Sequence, residues 1–147
     1  MTARIERLGV ENAGEAARVM RGSFDDRLPW LAGLHTPAED AWFFRNVVFD
    51  ACAVWGALQG AELAGVLAVR PGWIDQLYVH PDQQGRGIGA ALLAVAKDGA
   101  AELSLWTFQS NAPARAFYER HSFVAVETTD GSRNEEQEPD VRYLWQA

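Results

Sequence analysis

The sequence predicts a mixed α/β fold, with antiparallel hairpins first and a strand–helix–strand–helix–strand run after them. Three observations carry this. The runs Ala51–Leu58 and Glu62–Arg70 flank Gln59-Gly60, the pattern of a β-hairpin. Pro71-Gly72 turns the chain into a further strand, Trp73–His80, which Pro81 ends because proline has no amide to donate. From Gly87 to Gly99 the apolar positions Ile88, Leu92 and Val95 recur at helical spacing, and strands and helices then alternate.

The remaining elements are taken in chain order. Ala3–Leu8 reads as a short first strand, and Glu11–Phe24 as a helix with Ala16, Ala17, Val19 and Met20 inward. Asp25–His35 reads as irregular, broken by Pro29 and Gly33. Thr36-Pro37-Ala38-Glu39 is a helix start: threonine caps, proline suits the first turn, and glutamate completes an approximate capping box. That helix runs to about Phe49 and is aromatic at Trp42, Phe43 and Phe44. Later come a strand at Glu102–Phe108, a helix at Pro113–His121, and strands at Phe123–Thr128 and Val141–Trp145. With 147 residues, no internal repeat and no linker, residues 1–147 are expected to form a single domain.

Thirteen basic residues against 20 acidic ones leave a net charge of −7. Such a field repels nucleic acid unless a basic patch overrides it, and no Lys/Arg cluster occurs. Cys52 is the single cysteine, so no internal disulfide forms, in keeping with a reducing cytoplasm. The N-terminus lacks the apolar run of a signal peptide, and no stretch reaches membrane-spanning length. The expectation is a cytoplasmic protein with neither nucleic-acid nor membrane partners.

The most informative segment leads from the Trp73–His80 strand through Gln84-Gly85-Arg86-Gly87-Ile88-Gly89-Ala90 into a helix. Glycines at 85, 87 and 89 leave amides unobstructed and permit positive φ, and the helix start adds its own unpaired donors. A diphosphate is the natural guest. The alternative is a glycine-rich turn with nothing bound. Gly85-x-Gly87-x-x-Ala90 also formally matches a dinucleotide fingerprint, but Leu105-Trp106-Thr107-Phe108 carries no carboxylate where a ribose ligand is needed. No Gly-Lys-Ser/Thr follows, so a kinase-type phosphate loop fails.

Gln84-Gly85-Arg86-Gly87-Ile88-Gly89 resembles the Gln/Arg-x-x-Gly-x-Gly/Ala motif of the GNAT (GCN5-related) N-acetyltransferase family, and Leu77-Tyr78-Val79-His80-Pro81 is similar to that family's fourth strand. Asn111-Ala112-Pro113-Ala114-Arg115-Ala116-Phe117-Tyr118 resembles its Asn-x-x-Ala-x-x-Phe-Tyr signature, with Ser122-Phe123 where Gly-Phe is usual. The two blocks cover roughly residues 73–126; the first half matches only in element order. The resemblance implies a central, mostly antiparallel sheet with strands four and five splayed into a V and helices on both faces. It also implies acetyl-CoA as co-substrate. Leu77, Tyr78 and Val79 would pair with the pantetheine arm, and the amides of Gln84, Gly85, Arg86, Gly87, Ile88, Gly89 and Ala90 would take the pyrophosphate. Asn111 would hydrogen-bond the cofactor, with Phe117 packed near it.

Acyl transfer to an amine needs a neutral nucleophile, oxyanion stabilisation and a proton for the leaving thiolate. A lysine-like amine has a pKa near ~10.4, so deprotonation at neutral pH costs roughly 4–5 kcal/mol. Tyr118 is the general-acid candidate, the alternative being that Phe117-Tyr118 only packs the helix. A backbone amide near Tyr78 or Val79 is the oxyanion donor. Asp75 is the candidate base: strand alternation places it with Leu77 and Val79, and some members of the family carry a base histidine at the matching position. A carboxylate bonded to a neighbouring strand is the alternative. His80 reads as structural, no metal site is expected, and Cys52 has no basic partner to make it a nucleophile.

In this fold the acceptor enters opposite the coenzyme, here past Asp25–Trp42 and Glu127–Asp140. The second segment carries Glu127, Asp130, Glu135, Glu136, Glu138 and Asp140 against Arg133. It is either a solvated loop or a collar for a cationic amine. Trp30, Trp42 and Trp73 serve as aromatic walls or as core. The function implied is acetyl transfer from acetyl-CoA to a small molecule's primary amine by direct attack in a ternary complex. A non-catalytic acyl-CoA sensor, a protein or peptide N-acetyltransferase and a dinucleotide-binding oxidoreductase stay open as alternatives, and the resemblance leaves a homodimer open.

Overall fold

The computed structural model describes residues 3–147. A seven-stranded sheet runs in the order β1-β2-β3-β4-β5-β7-β6. Its strands are β1 (Arg4–Arg7), β2 (Ala53–Gln59), β3 (Glu62–Arg70), β4 (Trp73–Val79), β5 (Glu102–Phe108), β6 (Val124–Thr128) and β7 (Asp140–Gln146). Neighbours pair antiparallel except β4 and β5, which are parallel.

Helices α1 (Ala13–Arg27), α2 (Pro37–Phe43), α3 (Phe49–Ala51), α4 (Ile88–Lys97) and α5 (Ala112–Arg120) complete the chain. The first three cover one face, where Ala17, Met20, Phe44 and Val48 pack on Val54, Val66 and Ala68. The other face buries Leu92, Leu93 and Tyr118 against Leu67, Leu105 and Tyr143. None of the described helices is long and apolar enough to cross a membrane.

Local chemistry sets the helix ends. The Thr36 hydroxyl accepts from the Glu39 amide at 3.2 Å and the Glu39 carboxylate accepts from the Thr36 amide at 2.8 Å, a complete capping box. Between α2 and α3 the helix widens into a π-turn over Phe44–Val48, which turns both Phe44 and Val48 inward. Helix α1 continues to Arg27 instead of stopping at Phe24, so part of the stretch expected to be irregular is helical. The reason is Pro29, whose ring disfavours the helical region only for the residue before it, and Leu28 leaves the helix at φ −133°.

Two irregularities of β4 shape the cleft beside it. Val69 pairs with Ile74 and Ala68 with Gln76, so Asp75 is the extra residue of a β-bulge. The bulge breaks the expected alternation. Ile74, Leu77 and Val79 lie on the α4 face and Tyr78 on the α1 face, while Asp75 does not continue the Leu77–Val79 row. On its other edge, β4 meets β5 only at Trp73 and Ser104, with the Ser104 amide on the Gly72 carbonyl at 2.8 Å. Beyond that point the strands diverge.

Candidate active site

The divergence opens a cleft of about 600 Å³ between β4 and β5, lined by Leu77–Val79, the glycine loop, Leu105–Phe108 and α5. Backbone register decides which groups of β4 face it. The His80 amide bonds the Ala64 carbonyl at 2.7 Å, so Tyr78 exchanges its bonds with Val66, and the N–H and C=O groups of Leu77 and Val79 point away from β3 into the cleft. This refines the expected oxyanion donor: the Val79 amide faces the cleft, whereas the Tyr78 amide belongs to the β3 ladder.

At the wide end of the V the chain forms a turn that glycine alone enters cheaply. Gly85 and Gly87 have φ of 78° and 79°. A Cβ at either would meet nothing within 4 Å, so the space over the loop is open. Helix α4 then starts at Ile88, and among the described residues the amides of Gly85 through Ala90 find no acceptor in the chain. Converging donors with a helix N-terminus behind them fit a diphosphate.

The Gln84 side chain fastens this loop to the sheet. Its amide donates to the Val79 carbonyl at 3.1 Å and its oxygen accepts from Arg27 at 2.7 Å. Arg27, at the end of α1, thus enters the cleft wall, which the sequence alone did not mark. Gly89 matters differently, because a Cβ there would stand 3.3 Å from the Phe117 ring.

On the opposite wall, Asn111 caps α5 by accepting from the Ala114 amide at 3.3 Å, and its side-chain N–H₂ is left for a ligand in the cleft that it lines. Phe117 stacks against Gly89 and the His121 ring. Tyr118 is 7% exposed and packs edge-on to Phe117 and Phe123. No fully buried side-chain oxygen or nitrogen among the described residues lacks a partner. The Tyr118 hydroxyl makes no bond among the described residues, so it opens on the cleft that it lines. Burial foremost, then the nearby Tyr78 phenol, pushes it well above the ordinary tyrosine range. The Tyr143 hydroxyl fixes α5 in place by donating to Glu119 at 2.6 Å and accepting from Arg115 at 3.0 Å.

Asp75 lines the closed end of the cleft, but its Oδ2 is already engaged. It accepts from Arg70 Nε at 2.6 Å and from the Cys52 thiol at 3.4 Å. Burial first, then that hydrogen bond, raises the Cys52 thiol to about 11, far from a thiolate nucleophile.

A second cavity, of about 700 Å³, lies on the α1–α2 face and meets the cleft at Phe24, Gln76 and Tyr78, which line both. The connection between β6 and β7 closes its outer side. His35 Nε2 pairs with Glu135 at 2.8 Å, and Trp30 Nε1 donates to Glu138 at 3.2 Å. The hydrogen bond to Glu135, foremost, raises His35 above 6.5. A raised value means that the pair is fully formed below pH 6.5 and is lost as pH rises through the His35 titration. An NMR titration should place His35 above 6.5, and Glu135→Gln should return it toward that value. Glu135 is 60% exposed and His35 about a third, so solvent screens the pair and the effect on global stability is small.

The site thus joins a glycine turn with unclaimed amides, at the wide end of a split sheet, to a second cavity on the other face. The family model of the acetyltransferase (GNAT) family matches residues 19–123, and the chain belongs to that family. It is 34% identical over 116 residues to a mycothiol acetyltransferase of Clavibacter michiganensis subsp. michiganensis, over 74% of this chain and 34% of that protein. The chain thus spans about a third of that relative's length. An uncharacterized N-acetyltransferase, YafP, of Escherichia coli K12 is 33% identical over 73 residues, half of this chain and 47% of its own length. Among solved structures, apo YjaB of Escherichia coli superposes with a TM-score of 0.83 at 22% identity, covering 99% of this chain and 98% of that one. The PaiA N-acetyltransferase of Thermoplasma acidophilum in complex with coenzyme A gives 0.74 at 20% identity, with full coverage of both chains. The mostly antiparallel sheet with its parallel β4–β5 junction is the fold these structures share.

Proposed function

We propose that this chain transfers an acetyl group from acetyl-CoA to the primary amine of a small molecule, by direct attack within a ternary complex. The observation that carries the reading is the row of unclaimed amides at Gly85–Ala90, leading along the free edge of β4 to the wall where two cavities meet. Acetyl-CoA would supply an activated acyl thioester.

The chain's own residues then divide the work. The loop amides and Arg27 hold negative charge at the wide end of the V. Asn111 and the edge groups of Leu77 align the arm, with Phe117 against it. The Val79 amide is a preorganised donor for the oxygen on which charge gathers. Tyr118 holds its proton at neutral pH and delivers it to the departing sulfur. Asp75 is not kept as the base in this reading, because its Oδ2 accepts from Arg70 and Cys52; the amine's proton leaves through water in the cavities. Asp75→Asn is accordingly expected to leave the pH profile of kcat/KM in place and to cost roughly 1 kcal/mol of stability or less. A displaced limb in that profile would restore Asp75 as the base.

The direct test is release of free thiol from acetyl-CoA over a panel of amines, amino acids, polyamines and peptides. Thiol release that depends on a small amine supports the reading. Tight acetyl-CoA binding without release to any acceptor would overturn it in favour of a sensor.

A further inference from the structure

The second cavity has a charge arrangement that its overall acidity conceals. Asp40 is 4% exposed and both its oxygens are taken by Arg21, each at 2.8 Å, so that pair is neutral. Glu135 and Glu39 share His35, at 2.8 and 3.9 Å, and both stand at the rim, 60% and 59% exposed, where water screens their charge. Glu136 is different. It lines the cavity half-buried and makes no hydrogen bond or ion pair among the described residues. Its charge reaches the wall shared with the coenzyme cleft, since it helps to raise the Tyr78 phenol to about 12, after burial as the main cause.

The rest of the lining is mostly apolar. Phe24 and Phe43 form the inner surface, while Leu34 and Trp42, 45% and 60% exposed, stand at the rim. Glu136 is thus the one half-buried carboxylate of the described lining without a partner, and within aromatic walls it matches a ligand with a positive charge and an apolar body. A second positive charge would find no other half-buried carboxylate free in the described lining, and a neutral ligand would leave Glu136 half-buried and uncompensated.

We infer that this cavity, on the side where the acceptor is expected to enter, selects monocationic amines with an aromatic or bulky apolar body, the ammonium held by Glu136 and the body laid against Trp42 and Phe24. The inference rests on the proposed acetyl transfer for its biological meaning, though not for its test. The Trp30–Glu138 and His35–Glu135 links keep Glu136 over the cavity by tying its loop to the segment between α1 and α2.

The test is calorimetric titration of the coenzyme A-loaded protein with 2-phenylethylamine and with its neutral counterpart 2-phenylethanol. The amine is expected to bind at least about tenfold more tightly, a difference of about 1.4 kcal/mol. Glu136→Gln should abolish that preference, whereas Trp42→Ala should weaken both ligands together. Neither change should alter coenzyme A affinity. Equal affinities for the two ligands, no binding of the amine, or a preference that survives Glu136→Gln would each overturn the assignment. Thiol release is read separately. Binding that depends on Glu136 without acetylation of any amine would refute the transferase reading and keep the site; acetylation of amines indifferent to Glu136 would do the reverse.

Discussion

Replacing Gly85 and Gly87 together by alanine should weaken coenzyme A binding by roughly 10²–10⁴-fold, the loss of two charge-assisted hydrogen bonds at about 1.5–3 kcal/mol each. The two residues sit at φ of 78° and 79°, and a Cβ at either projects into open space, not into protein. The sheet therefore stays folded, at a cost of about 1–2 kcal/mol per residue for the left-handed conformation. What the new methyl groups and the relaxing backbone disturb is the convergence of the loop amides. Gly60→Ala supplies the control, because Gly60 has φ of 64°, equally open surroundings and a place in the β2–β3 turn. The control should lose stability alone. Calorimetric Kd values beside thermal melts separate the two effects, and a double variant that binds coenzyme A like the parent would remove the loop from the site.

Tyr118→Phe should lower kcat by about 10²–10⁴-fold, the usual worth of a positioned general acid. It should leave the affinity for acetyl-CoA and the melting temperature nearly unchanged. The ring keeps its contacts with Phe117, Phe123 and Tyr143. The hydroxyl that is removed bonds nothing among the described residues, so no buried partner there is orphaned. The raised phenol also predicts that no limb of the wild-type pH profile near neutrality comes from Tyr118. Single-turnover rates with a saturating amine decide this point. A phenylalanine variant as fast as the parent would reduce Tyr118 to a packing residue.

The difference between these residues and Asp75 explains what was legible in the sequence. Gly85 and Gly87 announce themselves because positive φ and an absent side chain are properties of one residue and its neighbours. Asn111, Phe117 and Tyr118 fall within a single helix and its cap, where fixed spacing carries over into fixed geometry. The Asp75 side chain, by contrast, is aimed by a bulge that exists only in the register between β3 and β4. No count along one strand can reveal an extra residue defined by its partner strand.

Read along the chain alone, the residues specify the order of the elements, the helix starts at Thr36 and near Pro113, and a glycine turn able to present its amides to a diphosphate. Each depends on interactions within a few residues. The assembled fold adds that Arg27 grips Gln84 from the end of α1, that Asp75 faces Arg70 and Cys52, and that Phe24, Gln76 and Tyr78 divide two cavities. Those contacts join separate elements of the chain, and burial, strand register and the parting of β4 from β5 select them only once the whole sheet has formed.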